Sequence, residues 1–571
     1  MDKPWLAHYE DGVPAEVEIP DYPVTQNLVN TAKKYPHNTA LIFGNVVEPL
    51  GEMLLDAKMD YQRLLELTYH FAAALQKLGV KKGDRVAVHL PNCPQFVIAY
   101  YATLMVGGIV VPCNPQYVAR ELFHQLGDSG AEVIVTLSLT YPIVKKIRSE
   151  TPLKHVIVAN VKEYFPGLLR FLFTAAVEKK EGHYQDISGE ANTYWFQDVL
   201  AGAPAKPTPV EVDMEDPAVL MYTGGTTGLS KGAQLTHRNI HANAVQIRAW
   251  FPRLVEGKEV ILTSLPLFHS YGMSTCLNLG TLLGASMILV ANPRVLIHIL
   301  KSIAKHRPTV YPAVPAMYVA INNYPEIHKF DVSSIKACIS GAAPLPVEVQ
   351  QKFQELTGGR LVEGYGLSEA TPVTHANPIY GENRIGTIGL PFPSTESKVV
   401  DAETGGKELP PGEVGELAVR GPQVMKGYWQ MPTETANVLR NGWLHTGDLA
   451  RMDADGYFQI VDRKKDMILG AGGFNIYPRE VEEALYQHPK VKQAAAVGIP
   501  VEGKGERVKV FIVLKDGETA TEEEIIQFCN ENLAPYKVPR YVEFRKELPI
   551  TMVGKVLRRV LLEEELKKQA Q

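Results

Sequence analysis

Cysteine is scarce. Cys93, Cys113, Cys276, Cys338 and Cys529 are scattered through 571 residues, odd in number and without a C-x-x-C pair. That excludes a disulfide framework and a paired-cysteine zinc site, and points to reduced thiols in a cytosol. Positive charge is not in excess. The chain has 58 Lys and Arg against 63 Asp and Glu, a net charge of −5, so it carries no basic footprint and nucleic acid is excluded as a partner. The first residues, Met1-Asp2-Lys3-Pro4-Trp5, lack the apolar segment of a secretory signal. Uninterrupted apolar runs are also missing. Residues 96–111 are apolar but split by Gly107-Gly108 and stopped by Pro112. Residues 260–293 contain no Asp, Glu, Lys or Arg, yet Pro266, His269, Ser270, Gly272, Asn278 and Gly280 interrupt them. The first run predicts a buried helix, a turn and a short strand. The second predicts a buried strand–loop–helix–strand, part of which can also line an apolar ligand tunnel. No internal repeat and no low-complexity tail is present.

What is present is ordinary soluble-globular composition, 45% hydrophobic and 21% charged, on a chain long enough for more than one domain. Apolar residues at helical spacing predict a helix over 61–78, ended by Gly79. From Arg85 strands and helices alternate, with strands expected at 86–90, 109–111, 132–136 and 156–159, then 286–290, 309–311 and 337–340. Such alternation predicts a largely parallel sheet covered on both faces. Between about 385 and 462, short strands with Gly, Pro and Asp punctuation predict a β-rich subdomain. The charge run Asp462-Arg463-Lys464-Lys465-Asp466 is a candidate boundary. Beyond it, strands at 493–497 and 508–513 alternate with helices in a small α+β domain. Residues 162–182 mix bulky apolar groups with flanking charge. Their basic residues are not gathered on one face, so a surface helix packed on the main domain is preferred over a membrane-touching patch.

The chain is organised around Tyr222-Thr223-Gly224-Gly225-Thr226-Thr227-Gly228-Leu229-Ser230-Lys231-Gly232. A buried strand over 218–221 is expected before it. A helix capped by Thr236 is expected after it. Strand, glycine-rich loop and helix start together would form an anion site, with inward backbone N–H groups, threonine hydroxyls and the Lys231 ammonium as donors. A Walker A loop is excluded, because Ser230 precedes Lys231 and Gly232 follows it. A dinucleotide fingerprint at Gly470-Ala471-Gly472-Gly473-Phe474 is excluded because Asn475 takes the third glycine position. His237 and His241 stand four apart, a metal-ligand spacing, but no third ligand completes a site.

Tyr-Thr-Gly-Gly-Thr-Thr-Gly-x-x-Lys-Gly resembles the phosphate loop of the adenylate-forming enzymes, a family of acyl-CoA synthetases, luciferases and peptide-synthetase adenylation domains. The resemblance runs through most of the chain in the family's order. Pro266-Leu267-Phe268-His269 is similar to the substrate-side aromatic motif and Gly341-Ala342-Ala343-Pro344-Leu345 to the adenine segment. Glu363-Gly364-Tyr365-Gly366-Leu367-Ser368-Glu369 is similar to the nucleotide and metal motif. Thr446-Gly447-Asp448 resembles the ribose motif, 462–466 the hinge, and Gly554-Lys555 the C-terminal catalytic lysine motif. Lys3-Pro4-Trp5-Leu6, residues 363–378 and Gly473-Phe474-Asn475-Ile476-Tyr477-Pro478 look most like bacterial long-chain fatty-acyl-CoA synthetases. Departures are small: Gly224 stands where many members have Ser, Ser230 where many have Pro, and Ser368 where many have Thr.

The resemblance implies an α/β fold: a large N-terminal adenylation domain, 1–462, that includes the β-rich, distorted-barrel subdomain, and a small mobile α+β lid, 463–571. It implies activation of a fatty acid by ATP with Mg²⁺, pyrophosphate release, and acyl transfer to CoA. It places Thr223, Gly224, Gly225, Thr226, Thr227, Gly228 and Lys231 on the phosphates. Gly341, Ala342, Ala343, Glu363, Gly364, Tyr365, Gly366, Leu367 and Ser368 would bind the nucleotide, and Asp448 and Arg463 its ribose or phosphates. Glu369, helped by Thr223, would hold the metal. Lys555 and Glu369 are the catalytic candidates, with His269 lining or gating the acyl pocket. Lys465 would be the hinge, and Gly472, Gly473 and Phe474 the CoA contacts. A homodimer and peripheral contact at the inner face of the membrane stay open. So do an aryl- or amino-acid substrate, a carrier-protein acceptor, and a fatty-acid-binding or uptake protein without turnover.

Overall fold

A computed structural model describes residues 3–47, 53–223, 230–469, 475–501, 505–551 and 556–569. The elements that carry the site are, in chain order, helix α1 (Ala119–Ser129), strands β1 (Pro217–Thr223) and β2 (Lys231–Thr236), helix α2 (His237–Trp250), strand β3 (Arg360–Gly366), strand β4 (Gly427–Tyr428), helix α3 (Pro432–Val438), strands β5 (Trp443–Met452) and β6 (Phe458–Arg463), and helices α4 (Pro478–Tyr486) and α5 (Arg558–Gln569).

The largest sheet has eight strands, in the order β4, β2, β1, Ile109–Pro112, Arg85–His89, Val133–Leu137, His155–Ala159, Thr193–Trp195. From β1 outward to Thr193–Trp195 every pairing is parallel. The inner strands are buried on both faces, which is why they read as continuous apolar runs. At the other edge, β1 and β2 pair antiparallel, with Tyr222 opposite Gly232 and Thr223 opposite Lys231. The glycine-rich loop therefore joins two strands of a hairpin, not a strand and a helix. The expected helix start follows one strand later. Thr236 caps α2 by accepting from the Asn239 N–H, and Asn239 Oδ1 accepts from the Thr236 N–H in return, a reciprocal cap. The sequence hid β2 because Lys231-Gly232-Ala233-Gln234 has little apolar alternation.

The second sheet pairs Val260–Thr263, Ser286–Leu289, Thr39–Val47 and Met53–Asp60. A run from Ala337–Ser340 through β3 to Val373–Ala376 and Leu390–Pro391 continues it. The expected strand at 309–311 is not a strand. Val310 makes single parallel bridges to Ile261 and Ala337 and so stitches the two halves together. Between its two strands, the 260–293 region forms Ser270–Gly272, a π-helical stretch Met273–Asn278 and Leu279–Leu283, nearly all buried. The region after 385 contains a five-stranded antiparallel sheet that includes β5 and β6. The last part packs Val491–Val501 against Gly505–Leu514 and Tyr541–Phe544, covered by α4, Glu522–Asn532 and α5. It has hydrophobic clusters of its own, built on Val481, Leu485, Val510 and Ile525, and on Phe511 and Leu561.

The 161–177 stretch is split by its packing. Phe165, Leu169 and Phe173 are buried in the main core, whereas Leu168 and Phe171 are exposed. Among the described residues, no helix is long and apolar enough to cross a membrane. All five cysteines are buried and unpaired.

Candidate functional site

The hairpin edge of the large sheet is where the sequence-predicted residues gather. Lys231 opens β2 and Thr223 closes β1, directly across the ladder. Strand β4 pairs with β2, with Tyr428 opposite Ala233, which brings the Tyr428 ring under Lys231. The ammonium sits 5.3 Å from the ring centroid, within cation–π range. It also forms an ion pair with Glu434 on α3. The Tyr428 hydroxyl then donates to Glu369 Oε1 at 2.8 Å. Glu369 lies in the single 3-10 turn that follows β3, and its carbonyl accepts from the Met425 N–H. Lys231 and Glu369 are thus drawn together by a tyrosine that motif spacing does not reveal. Burial, followed by the neighbouring Glu369 charge, holds the Tyr428 phenol well above its ordinary range.

A second cluster adjoins the first. Asp448 on β5 and Arg463 on β6 are ladder partners, and Arg463 Nε meets Asp448 Oδ1 at 2.5 Å. The other carboxylate oxygen accepts from the Tyr365 hydroxyl. Asp448 is only 2% exposed. Its charge is the main cause that raises the Arg463 guanidinium, with Tyr365 and Glu369 adding to it. Both Asp448 oxygens therefore have protein partners. Each still keeps a lone pair for a further donor.

The remaining positions form the wall behind these clusters. Gly341 follows Ala337–Ser340, and a Cβ there would come within 3.0 Å of the Tyr271 ring, whose hydroxyl donates to the Ile339 carbonyl. Ala342 takes a left-handed φ of 69°, and Ala343 lies beside it in the same turn. Gly364 and Gly366 are on β3, and a Cβ on Gly366 would lie 2.1 Å from the Pro372 carbonyl oxygen. That approach also receives the Leu367 N–H. Ser368 Oγ is 3.1 Å from Ser270 Oγ, which ties the nucleotide motif to the 260–293 region. His269 caps the helical turn there, its Nδ1 accepting from the Tyr271 N–H. Gly224, Gly225, Thr226, Thr227, Gly228, Gly472, Gly473, Phe474 and Lys555 lie outside the described residues. Lys465 is exposed in the tight turn after β6. On either side of it, Asp462 accepts from the Arg479 N–H at 2.7 Å, and Arg558 pairs with Glu482 and Asp466.

His237 and His241 are buried core histidines, and His241 Nδ1 faces the Tyr22 carbonyl. Burial pushes the His237 ring down to about 4, so it stays neutral. Among the described residues, no group of three or more His, Cys, Asp or Glu is placed to hold a metal. Glu369 is held by the Tyr428 hydroxyl near Lys231, and magnesium bound with a nucleotide takes few carboxylates beside phosphate oxygens and water.

Glu363 gives a prediction. Burial pushes its carboxyl up to about 7, against the pull of Arg479 and the Leu345 N–H bond. A carboxyl raised on folding contributes stability below its unfolded value, near 4.5. That contribution is lost as pH climbs through the folded value. Glu363→Gln keeps an acceptor for Leu345. It is expected to lie close to wild type at pH 5 and to exceed it by about 3 kcal/mol at pH 8. Denaturant unfolding at the two pH values checks this, and a gap independent of pH would refute it.

Comparison with known proteins fits this geometry. The model of the AMP-binding enzyme family matches residues 28–429, and that of the AMP-binding enzyme C-terminal domain matches residues 480–555. The chain belongs to the AMP-binding enzyme family. It is 47% identical over 565 residues to a long-chain-fatty-acid–CoA ligase of Bacillus subtilis, covering 99% of this chain and 98% of that one. It is 42% identical over 579 residues to a ligase of the same name from Escherichia coli O6:H1, again over 99% and 98%. Among solved structures, ATP-bound MatB from Rhodopseudomonas palustris superposes with a TM-score of 0.81 at 28% identity, over 95% of this chain and 99% of that one. The apo form of the same protein, at the same identity and coverage, gives 0.71. The arrangement of this chain is thus closer to the ATP-bound form.

Proposed function

We propose that this AMP-binding enzyme activates a long-chain fatty acid with ATP, releases pyrophosphate, and passes the acyl group to CoA, giving acyl-CoA and AMP. The observation that carries the proposal is the convergence of Lys231 and Glu369 on Tyr428, next to the Asp448–Arg463–Tyr365 cluster. Residues far apart in sequence thereby bring a cation, a carboxylate and a ribose acceptor to neighbouring positions. The identity of 47% to a protein named for that reaction, over nearly the whole chain, supports the acid and the acceptor.

A carboxylate is a poor electrophile, because direct attack on it would have to expel oxide. Its oxygen attacks the α-phosphorus, a new P–O bond forms, and the bond to pyrophosphate breaks. Charge crowds at the phosphorus, so catalysis is mostly positioning and electrostatic stabilisation. Lys231 and Thr223 hold the β- and γ-phosphates. Asp448 accepts from the ribose hydroxyls through its spare lone pairs, with Tyr365 and Arg463 fixing its orientation. Glu369 and Thr223 would hold Mg²⁺, which supplies neutralisation of phosphate charge. In the second half, the CoA thiolate attacks the acyl carbon and AMP leaves. That step uses a rotation of the lid about Lys465, from a boundary near 462, which brings the Gly472–Phe474 loop toward pantetheine. The 260–293 region, joined to the nucleotide motif through Ser270 and Ser368, is the acyl side. Leu168 and Phe171 are the side chains through which the surface would meet a bilayer, and two of them give only transient contact.

AMP production dependent on both ATP and CoA, measured across acids from acetate to stearate, tests the proposal. The rate is expected to rise with chain length. A maximum at a short acid, or a higher rate with benzoate assayed beside the series, would replace the substrate, and absence of AMP and pyrophosphate with every acid would remove the reaction.

A further inference from the structure

Helix α1 turns its apolar residues Leu122 and Leu126 inward. Two polar side chains, His124 and Asp128, stand one helical turn apart on another face. Both are partly exposed, and both point their polar atoms at the β1–β2 hairpin. Asp128 Oδ2 accepts from the Tyr222 hydroxyl at 2.5 Å. His124 Nε2 lies 3.0 Å from the Ser230 carbonyl, and since a carbonyl only accepts, Nε2 carries the proton and donates. Tyr222 is the residue before Thr223, and Ser230 the residue before Lys231. The two anchors therefore hold the backbone on both sides of one cross-strand pair, Thr223 and Lys231. The Tyr222 ring is pinned as well. It lies over Gly232, where a Cβ would come within 3.2 Å of the ring.

We propose that α1 is a positioning clasp, in which Asp128, through Tyr222, and His124, through Ser230, set the spacing of Thr223 and Lys231 and so the fit of this edge to the triphosphate. The inference rests on the ATP-dependent reaction proposed above. Neither residue touches the nucleotide, so both are positioning residues. The geometry favours this over plain packing. Each side chain spends its polar atom on one end of the hairpin, 94 residues away for Asp128 and 106 for His124, while other residues of α1 make the core.

The test uses the full chain and the variants His124→Ala, His124→Gln, Tyr222→Phe and Asp128→Ala. ATP affinity is measured by calorimetry. Pyrophosphate release with palmitate, thioester formation from supplied palmitoyl-AMP, and the unfolding midpoint are measured beside it. Loss of either anchor is expected to weaken ATP binding and raise its KM about fivefold, the worth of one net hydrogen bond, with thioester formation unchanged. His124→Gln, which offers an amide N–H to Ser230, is expected to recover most of the loss and carries the test if His124→Ala unfolds. Tyr222→Phe with Asp128→Ala is expected to be no worse than either alone, because they share one bond. Wild-type ATP affinity in His124→Ala at native stability, or equal losses in both half-reactions, would overturn the clasp. ATP binding by wild type without pyrophosphate release would instead reject the reaction, and the dissociation constants alone would then judge the clasp. A wild type that does not bind ATP overturns both.

Discussion

Replacing Lys555 by alanine is expected to slow acyl-adenylate formation about a thousandfold and to leave thioester formation from supplied acyl-AMP near its wild-type rate. A cation about 4 Å from a phosphoryl oxygen is worth roughly 4 kcal/mol at an effective dielectric of 20, which at tenfold per 1.36 kcal/mol is on the order of a thousandfold. In the role proposed for it, the cation would act only while negative charge builds at phosphorus. When thiolate attacks the acyl carbon, the leaving group is already AMP. Pyrophosphate release and single-turnover acyl transfer, assayed separately, decide it. Equal loss in both would move Lys555 out of the first half-reaction and into general lid structure.

Replacing Arg463 by alanine is expected to destabilise the fold by about 3 kcal/mol, the lower end for breaking a buried pair, because the Arg463 side chain is itself one-third exposed. The cost comes from the partner left behind. Asp448 is almost fully enclosed, and among the described residues it is then left with the Tyr365 hydroxyl and the more distant Lys465 charge. Adding Asp448→Asn removes that charge and is expected to return most of the lost stability, without returning ATP binding. Denaturant unfolding of wild type, both single variants and the double variant gives the coupling. A double variant no more stable than Arg463→Ala would show that the pair matters for packing and not for charge.

The alternating strands and helices from Arg85 to Ala159 were legible because buried parallel strands are apolar on both faces and leave continuous runs, whereas the antiparallel pair Thr39–Val47 and Met53–Asp60 went unread. Strand β2 was not legible either, since Lys231-Gly232-Ala233-Gln234 is half polar and takes its register from β1. The segment at 309–311 is apolar enough to read as a strand, but Val310 alone bridges its neighbours. Motif order named Lys231, Glu369, Asp448 and Arg463, which the fold brings near one another. It did not supply Tyr428, Glu434, His124 or Asp128. Their partners lie 59 to 203 residues away, and nothing local distinguishes a surface histidine from one aimed at a distant carbonyl. His237 and His241 show the reverse case. A local spacing that suggests a surface ligand pair falls instead on a helix face buried in the core.

Asp462 precedes Lys465, whereas Arg479 and Arg558, which both engage it, come after. Burial has pushed the Asp462 carboxyl up to about 6. A lid that pivots at Lys465 must let water into this latch, where the acid returns toward its ordinary strength and sheds a proton under mildly acidic conditions. The two postures of the proposed rotation would then differ by a fraction of a proton as well as by an angle. On the proposed rotation, acidification would favour the latched posture, in which Asp462 holds its proton more tightly.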